Sequence, residues 1–548
     1  MVQNARMQKM AFALMCALVA AACAKPAPPT LAQLPDVDTN AVLAHTKVLS
    51  SDEFEGRLPG TKGEELTVAY LVDQFKKAGL KPGNTDGTYV QKVPLVGITP
   101  TPAPLVFTKG SQQLTLRWKD DVVAWTKHVA DVASIEKSEL VFVGYGVVAP
   151  EYNWDDYKGV DVKGKTLVML VNDPPGDDIF GGRAMTYYGR WTYKYEIGAM
   201  KGAAGVLIVH ETGPAGYPFS VVQGKTEEQF DLVTPDKNMS RAAIEGWISL
   251  GQTEKLFKLA GQDFEALKKT AGTREFTPVP LGVTASMTIH NALRTIESQN
   301  VMAKIEGSDP ALRDEYIVYT AHWDHFGKTA EGIFHGARDN ASGTASLIEM
   351  GRAFLKTSPP PKRSILFVSV TAEEQGLLGS EYYAVTPIYP LAKTAAEINI
   401  DELNVTGRTK DMTLVGYGAS ELDDYARAAA AEQGRTVHAD AEPEKGYYYR
   451  SDHFNFAKMG VPALNPDEGI EFTNKSKEFA QKVRDNWTTN VYHTPKDVIT
   501  PEWDLSGAAE DLKLLLAVGY RVAQAEKFPE WKAGNEFKAV REKMLTGK

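Results

Sequence analysis

At 548 residues, the chain exceeds what one ordinary hydrophobic core supports, so two or three domains are expected. Lys and Arg total 60 against 70 Asp and Glu, a formal net charge of -10, which argues against a nucleic-acid partner because phosphate recognition needs a basic face. The composition, 43% hydrophobic and 24% charged, excludes a natively disordered chain.

Residues 1–23 read as an export signal. Arg6 and Lys9 precede an apolar run from Met10 to Ala22 that is short for a bilayer span and suited to a signal-peptide core. The run ends in Val19-Ala20-Ala21-Ala22-Cys23, and small residues directly before a Cys resemble the lipobox of bacterial lipoproteins, whose Cys becomes the lipid-modified N-terminus. Export from a bacterial cell is therefore expected. Cys23 would anchor the protein to a membrane, facing the periplasm, and this lipid is the only membrane contact expected. Cleavage nearby without lipidation, giving a periplasmic or secreted protein, is the alternative. Residues 24–35, rich in Pro and Ala, read as an extended tether. Both cysteines, Cys16 and Cys23, fall inside the leader, so the mature fold carries no disulfide and any metal must be held by His and carboxylates.

From residue 36 to about 82 the spacing predicts helices, with apolar residues three and four apart in AVLAHTKVL and ELTVAYLVDQFKKAG and a loop, SSDEFEGRLPGTKG, between them. From 89 to about 130 short alternating runs such as YVQKVPLVG and QLTLRW predict strands. Residues 136–284 read as a self-contained unit: ELVFVGYGVVAP, KTLVMLVNDP and AAGVLIVHE as strands, WTYKYEIGAMKG as a helix, with Gly and Pro clusters between them. This stretch carries none of the candidate ligands. YKYEIGAMKGAAGVLIVH resembles the protease-associated domain, which implies a role in substrate access or partner contact rather than chemistry.

From 298 onward strands and helices alternate. EYIVYTAH, RSILFVSVTAEE and AAEINID are mostly apolar, as central strands covered on both faces are. TASLIEMGRAFL, ELDDYARAAAAEQG and LSGAAEDLKLLLAVGYRVAQA have helical periodicity. The fold class expected is α/β: a three-layer domain with a central mixed sheet, built from residues 36–135 and 285–548 and interrupted by a β-rich α/β insert.

Open α/β sheets bind ligands at the carboxyl ends of their strands. His322 ends one apolar strand, Glu373 and Glu374 a second, and Asp401 a third. Asp339, in GARDNASG before a helix, and His493, in VYHTPKD, complete two imidazoles, a set of carboxylates of which one can bridge, and a spare Glu, the inventory of a two-metal hydrolase. His322 and Asp324 are two apart, so in an extended backbone Asp324 can accept the second ring N–H of His322. A satisfied surface pair is the bland alternative for these two, and a helix cap is the bland alternative for Asp339. Adjacent acids on a strand point to opposite sides, so Glu374 can bind metal while Glu373 serves as general base. Tyr492 could offer a phenol to a developing oxyanion. Arg450, in YYYRSDHFNFAKMGVPAL, could line the substrate cleft. His325 and His453 read as structural.

The ordered series AHWDH, GARDNASG, TAEEQGLLGSEYY, NID, RSDHFNFAKMGVP and YHTPKD resembles peptidase family M28, the co-catalytic di-zinc aminopeptidases related to glutamate carboxypeptidases and the transferrin receptor. The resemblance implies a three-layer zinc-peptidase fold, two zinc ions per chain and peptide substrates. It makes Asp339 the bridging ligand, His322 and Asp401 the ligands of one zinc, and Glu374 and His493 those of the other, with Glu373 as base and Asp324 behind His322. It also implies a cis peptide between Asp339 and Asn340. Glu402 after Asp401 departs from the family pattern, where many relatives carry an apolar residue.

An exported aminopeptidase is the function expected from this set. Carboxypeptidase or dipeptidase action is the alternative, with Arg450 as a clamp for a terminal carboxylate. A single-zinc glutaminyl cyclase is disfavoured by five ligands, and a non-catalytic binding protein by the survival of the base and every ligand.

Overall fold

The apolar runs that read as central strands lie in the middle of a sheet. Tyr316–His322, Ser364–Val370 and Thr394–Asn399 are buried at every position and pair in parallel, with Tyr316–His322 between the other two. Alternation then splits their side chains between two layers. Ile317, Tyr319, Ala321, Ile365 and Phe367 pack with the helices Thr39–Leu49, Gly343–Leu355 and Ser506–Gln524. Val318, Leu366 and Val368 face Tyr383 and Phe456 on the other side. This computed structural model describes residues 29–176, 179–223 and 228–547. The export signal, Cys16, Cys23 and the first part of the tether lie outside the described residues. Among the described residues no helix is long and apolar enough to cross a membrane.

The sheet is mixed. Ser364–Val370 pairs antiparallel with the end of a 27-residue strand, Val279–Ile305, and beyond Thr394–Asn399 come Ala463–Asp467, Asp411–Val415 and Thr436–Ala439. The long strand also leaves this layer. Residues 289–301 pair with Val90–Pro102, and residues 279–290 pair with Val132–Phe142 in a second sheet formed with Thr166–Leu170, Gly205–His210 and Ile244–Ser249.

The strands Leu105–Lys109, Gln112–Leu116 and Val122–Trp125 join this second sheet. Leu105, Phe107, Leu116 and Val122 share a core with Leu207, Val209 and Ile244. Alternating polarity declares which face of a strand is buried but not which partner covers it, so the text before residue 136 could not show this attachment.

The second sheet's layer leans on the first through aromatic contacts. Tyr187 lies 4.8 Å from Phe454 and 5.9 Å from Tyr449, ring centre to ring centre. Lys458 pairs with Glu196 at 2.7 Å.

Candidate metal centre

Three strand ends and two loops deliver the candidate ligands to one place. His322 is the last residue of its strand, and Glu373 and Glu374 lie just past Val370. Asp401 follows Asn399 by two residues, and Asp339 sits in the turn before the helix Gly343–Leu355. His493 comes two residues after the helical stretch ending at Val491, with φ of 56°. The Asp339–Asn340 peptide is cis, as the family resemblance implies.

The two oxygens of Asp339 point to different imidazoles. Oδ1 lies 3.2 Å from His322 Nε2, and Oδ2 lies 3.1 Å from His493 Nε2. His322 Nε2 is also 3.1 Å from Asp401 Oδ1, and His493 Nε2 is 3.1 Å from Glu374 Oε2. The cluster thus divides into one half formed by His322 and Asp401 and another formed by His493 and Glu374, with Asp339 common to both. Glu373 belongs to neither half as tightly, its nearest oxygen being 3.9 Å from His322 Nε2.

The donor set fits divalent metal. Asp339 Oδ2 and Glu374 Oε1 are buried without a hydrogen bond, although imidazole nitrogens stand close by. Carboxylate oxygens and imidazole nitrogens that converge at such distances are placed as ligands are. Two imidazoles with carboxylates suit zinc better than magnesium, which prefers all-oxygen sites.

The electrostatics agree. Burial pushes Asp339 up, but the adjoining imidazoles of His322 and His493 hold it well below the usual carboxylate range. Glu374, against the same burial, is drawn down to about 2 by His493 and His325. Glu373 moves the other way: burial, with Glu374, Asp401 and Asp452 nearby, raises it well above an ordinary Glu despite His322. Neighbouring carboxyls whose environments drive them apart in this way suit different tasks.

Several supports differ from the sequence expectation. The Asp324 carboxylate was expected to accept the His322 ring N–H, but Oδ1 is 3.8 Å from Nδ1, and the Asp324 carbonyl takes that place at 3.2 Å. The strand ends at His322, so the two-residue alternation does not extend to Asp324. Its carboxylate instead accepts the backbone N–H groups of Glu373 at 3.0 Å and Glu374 at 3.3 Å, holding the turn that carries both acids. His325, read as structural, stands 2.6 Å from Glu374 Oε1.

Asp497, four residues after His493, was missed. It accepts the N–H groups of Arg338 and Asp339, each at 3.0 Å. Ser451 donates to Asp401 Oδ2 at 2.5 Å, and the Asn340 amide bonds Ile400, Gly343 and Glu402, tying the Asp339 turn to the Asp401 turn. Glu402, the residue that departs from the family pattern, pairs with Arg338 at 2.7 Å, and the Arg338 guanidinium lies 4.4 Å over Trp487.

Of the two residues expected to meet substrate, Tyr492 is half-exposed and stacks on His493 with ring centres 3.7 Å apart. Arg450 is exposed, lies over Tyr447, and touches none of the ligands, though its charge reaches Tyr492.

The chain is similar to several known proteins. The chain is 37% identical to the aminopeptidase NAALADL1 of Mus musculus over 128 residues, 22% of this chain and 16% of that protein. It is 25% identical to the Probable glutamate carboxypeptidase AMP1 of Arabidopsis thaliana over 379 residues, 63% of this chain and 49% of that protein. The matches therefore span from about a sixth to about half the length of these relatives. Among solved structures, an aminopeptidase from Aneurinibacillus sp. strain AM-1 aligns over 90% of this chain and 96% of its own, at 19% identity and a TM-score of 0.48. Residues 300–517, which contain every candidate ligand, match the model of peptidase family M28.

Proposed function

We propose that the protein is an exported zinc aminopeptidase that removes N-terminal residues from peptides, with two zinc ions per chain. The observation that carries this reading is the division of Asp339 between His322 and His493, because one carboxylate shared by two imidazole and carboxylate pairs is what a two-metal hydrolytic site requires. Zinc bound there would supply an acidified water and a Lewis acid for the scissile carbonyl.

The remaining work falls to side chains. Glu373, outside the tightest ligand set, would take the proton of the attacking water and return it to the departing amine. Glu373 and Asp401 would also offer acidic oxygens to the free α-amine of the substrate. Tyr492, half-exposed beside His493, would donate to the oxyanion as the tetrahedral intermediate forms. The layer built on residues 136–284, packed against Tyr449 and Phe454, would govern access of substrate or contact with partners.

The leader pattern supports export and anchoring through Cys23. The test of that part is fractionation of cells expressing the full chain and Cys23→Ser. Loss of membrane association in the variant is expected, and an unchanged distribution would refute the lipid anchor.

The activity is tested with an aminoacyl-anilide and one peptide in free and N-acetylated forms. Cleavage of the anilide and the free peptide, with the acetylated peptide spared, is expected. Removal of residues from the carboxyl end of the acetylated peptide alone would instead establish the carboxypeptidase reading, with Arg450 as the clamp.

A further inference from the structure

The loop SSDEFEGRLPGTKG holds a charge with no role so far. Arg57 is fully buried, and its guanidinium spends four N–H groups on backbone carbonyls: Nε on Trp323 at 2.7 Å, Nη1 on Leu49 at 2.8 Å and His335 at 2.7 Å, and Nη2 on Gly336 at 2.8 Å. Two of those carbonyls belong to ligand-bearing segments. Trp323 follows His322, and Gly336 opens the turn that presents Asp339.

The surrounding chain is shaped to deliver this side chain. Arg57 itself has φ of 54° and Gly56 has φ of 69°; a Cβ at Gly56 would lie 2.4 Å from the Phe334 carbonyl oxygen, so only glycine fits. A Cβ at Gly63 would lie 2.4 Å from the Phe54 carbonyl oxygen and 3.1 Å from the Arg57 backbone.

A buried guanidinium is an expensive way to tie loops together, since an apolar side chain of similar size costs far less to bury. What an apolar residue cannot do is bridge two carbonyl-lined turns and place a cation behind carboxylates. The charges of Asp497, Asp324, Asp339 and Glu374 all reach Arg57. Burial lowers the guanidinium only to about 10, so it remains protonated at neutral pH.

We propose that Arg57 is a positioning residue for the metal pair, an inference that rests on the two-zinc reading above: it clamps the end of the His322 strand to the Asp339 turn from behind, setting how the two halves of the site share Asp339. The clamp acts before metal arrives. Its cation offsets the repulsion among the carboxylates, so that zinc meets an assembled site rather than assembling one.

The test is zinc titration by calorimetry on the mature chain, well below its melting temperature, for wild type, Arg57→Met, Arg57→Lys and Leu71→Ala. Leu71 is buried in the helix Lys62–Lys77 and makes no ligand contact, so Leu71→Ala reports the effect of lost stability alone. Wild type and Leu71→Ala should each bind two zinc ions with equal affinity. Arg57→Met should lose about 10–100-fold in affinity for at least one of them, the range seen when a residue supporting a ligand is removed. Arg57→Lys should not rescue it, because one ammonium cannot span four carbonyls set for a planar fork.

Two zinc ions bound by Arg57→Met with unchanged affinity would overturn the role of Arg57 alone, leaving the two-zinc reading intact. Wild type that takes up no zinc would bring down that reading and this inference with it. Hydrogen exchange on wild type decides the matter if neither Arg57 variant folds. Residues 52–58, which hold no ligand, should gain protection on zinc loading together with residues 335–342, and the absence of any gain at 52–58 refutes the clamp.

Discussion

Asp497 accepts the backbone N–H of Asp339 at 3.0 Å while lying only four residues beyond His493. One short segment therefore supplies both an imidazole to the site and the anchor for the carboxylate that lies between the two imidazoles. The other Asp497 oxygen takes the Arg338 N–H, so two consecutive N–H groups at the Asp339 turn hang on a single buried side chain.

Asp497→Ala should leave two buried N–H groups without acceptors, at a cost of about 1–3 kcal/mol each. Apparent zinc affinity should fall about 10–100-fold, as for other residues that orient ligands. Thermal unfolding of the metal-free protein measures the first effect and zinc titration the second. Unchanged zinc affinity in a destabilised variant would reduce Asp497 to an ordinary turn residue.

Glu373→Ala separates catalysis from metal binding. Glu373 is the acid least committed to either half of the ligand set, at 3.9 Å from His322 Nε2. Turnover of an aminoacyl-anilide should fall by at least about 100-fold, the lower end of what a general base contributes. Zinc content, measured on the same sample by elemental analysis, should stay at two per chain. Loss of a zinc ion along with activity would make Glu373 a ligand instead.

The candidate ligands near strand ends were legible because apolar runs stop at charged residues. Strands such as EYIVYTAH and RSILFVSVTAEE cannot continue past their terminal His or Glu pair without burying charge, and those ends meet on one edge of the sheet. The supports were not legible, because each depends on a backbone group whose position only the folded chain defines. Asp324 meets the N–H groups of a turn about 50 residues away, and Arg57 meets the carbonyl of Trp323, 266 residues away. Neither distance leaves a periodic trace in sequence. The attachment of strands 105–125 escaped for a related reason, since a long strand that crosses from one sheet to another looks like any alternating run.

The contact between the two layers should respond to pH through Glu536. Its carboxylate accepts the Tyr449 hydroxyl at 2.6 Å and the Tyr187 N–H at 3.2 Å. Burial, with Asp173 and Glu151 nearby, raises its pKa to about 7 against these bonds. A carboxyl whose pKa is raised on folding contributes stability that is complete below its unfolded pKa, near 4.5, and is lost as pH rises through about 7. Glu536→Gln keeps an acceptor for Tyr449 and removes the titration. Its melting temperature relative to wild type should therefore rise between pH 4.5 and pH 8, as followed by differential scanning calorimetry. A constant difference across that range would show that Glu536 does not titrate in it.

Removing metal should unfold the site before it unfolds the sheet. With zinc gone, Asp339, Glu374 and Asp401 face one another in a largely buried cluster, offset by the imidazoles and Arg57. Dialysis against a chelator should abolish peptide cleavage and lower the melting temperature. Zinc restored at about 100 times its dissociation constant should return about 2.7 kcal/mol of stability per site. Magnesium at the same concentration should return neither stability nor activity, because two of the five ligands are imidazoles. Full activity in the chelated protein would remove the metal centre from the reaction altogether, and with it the roles assigned to Asp339 and Glu373.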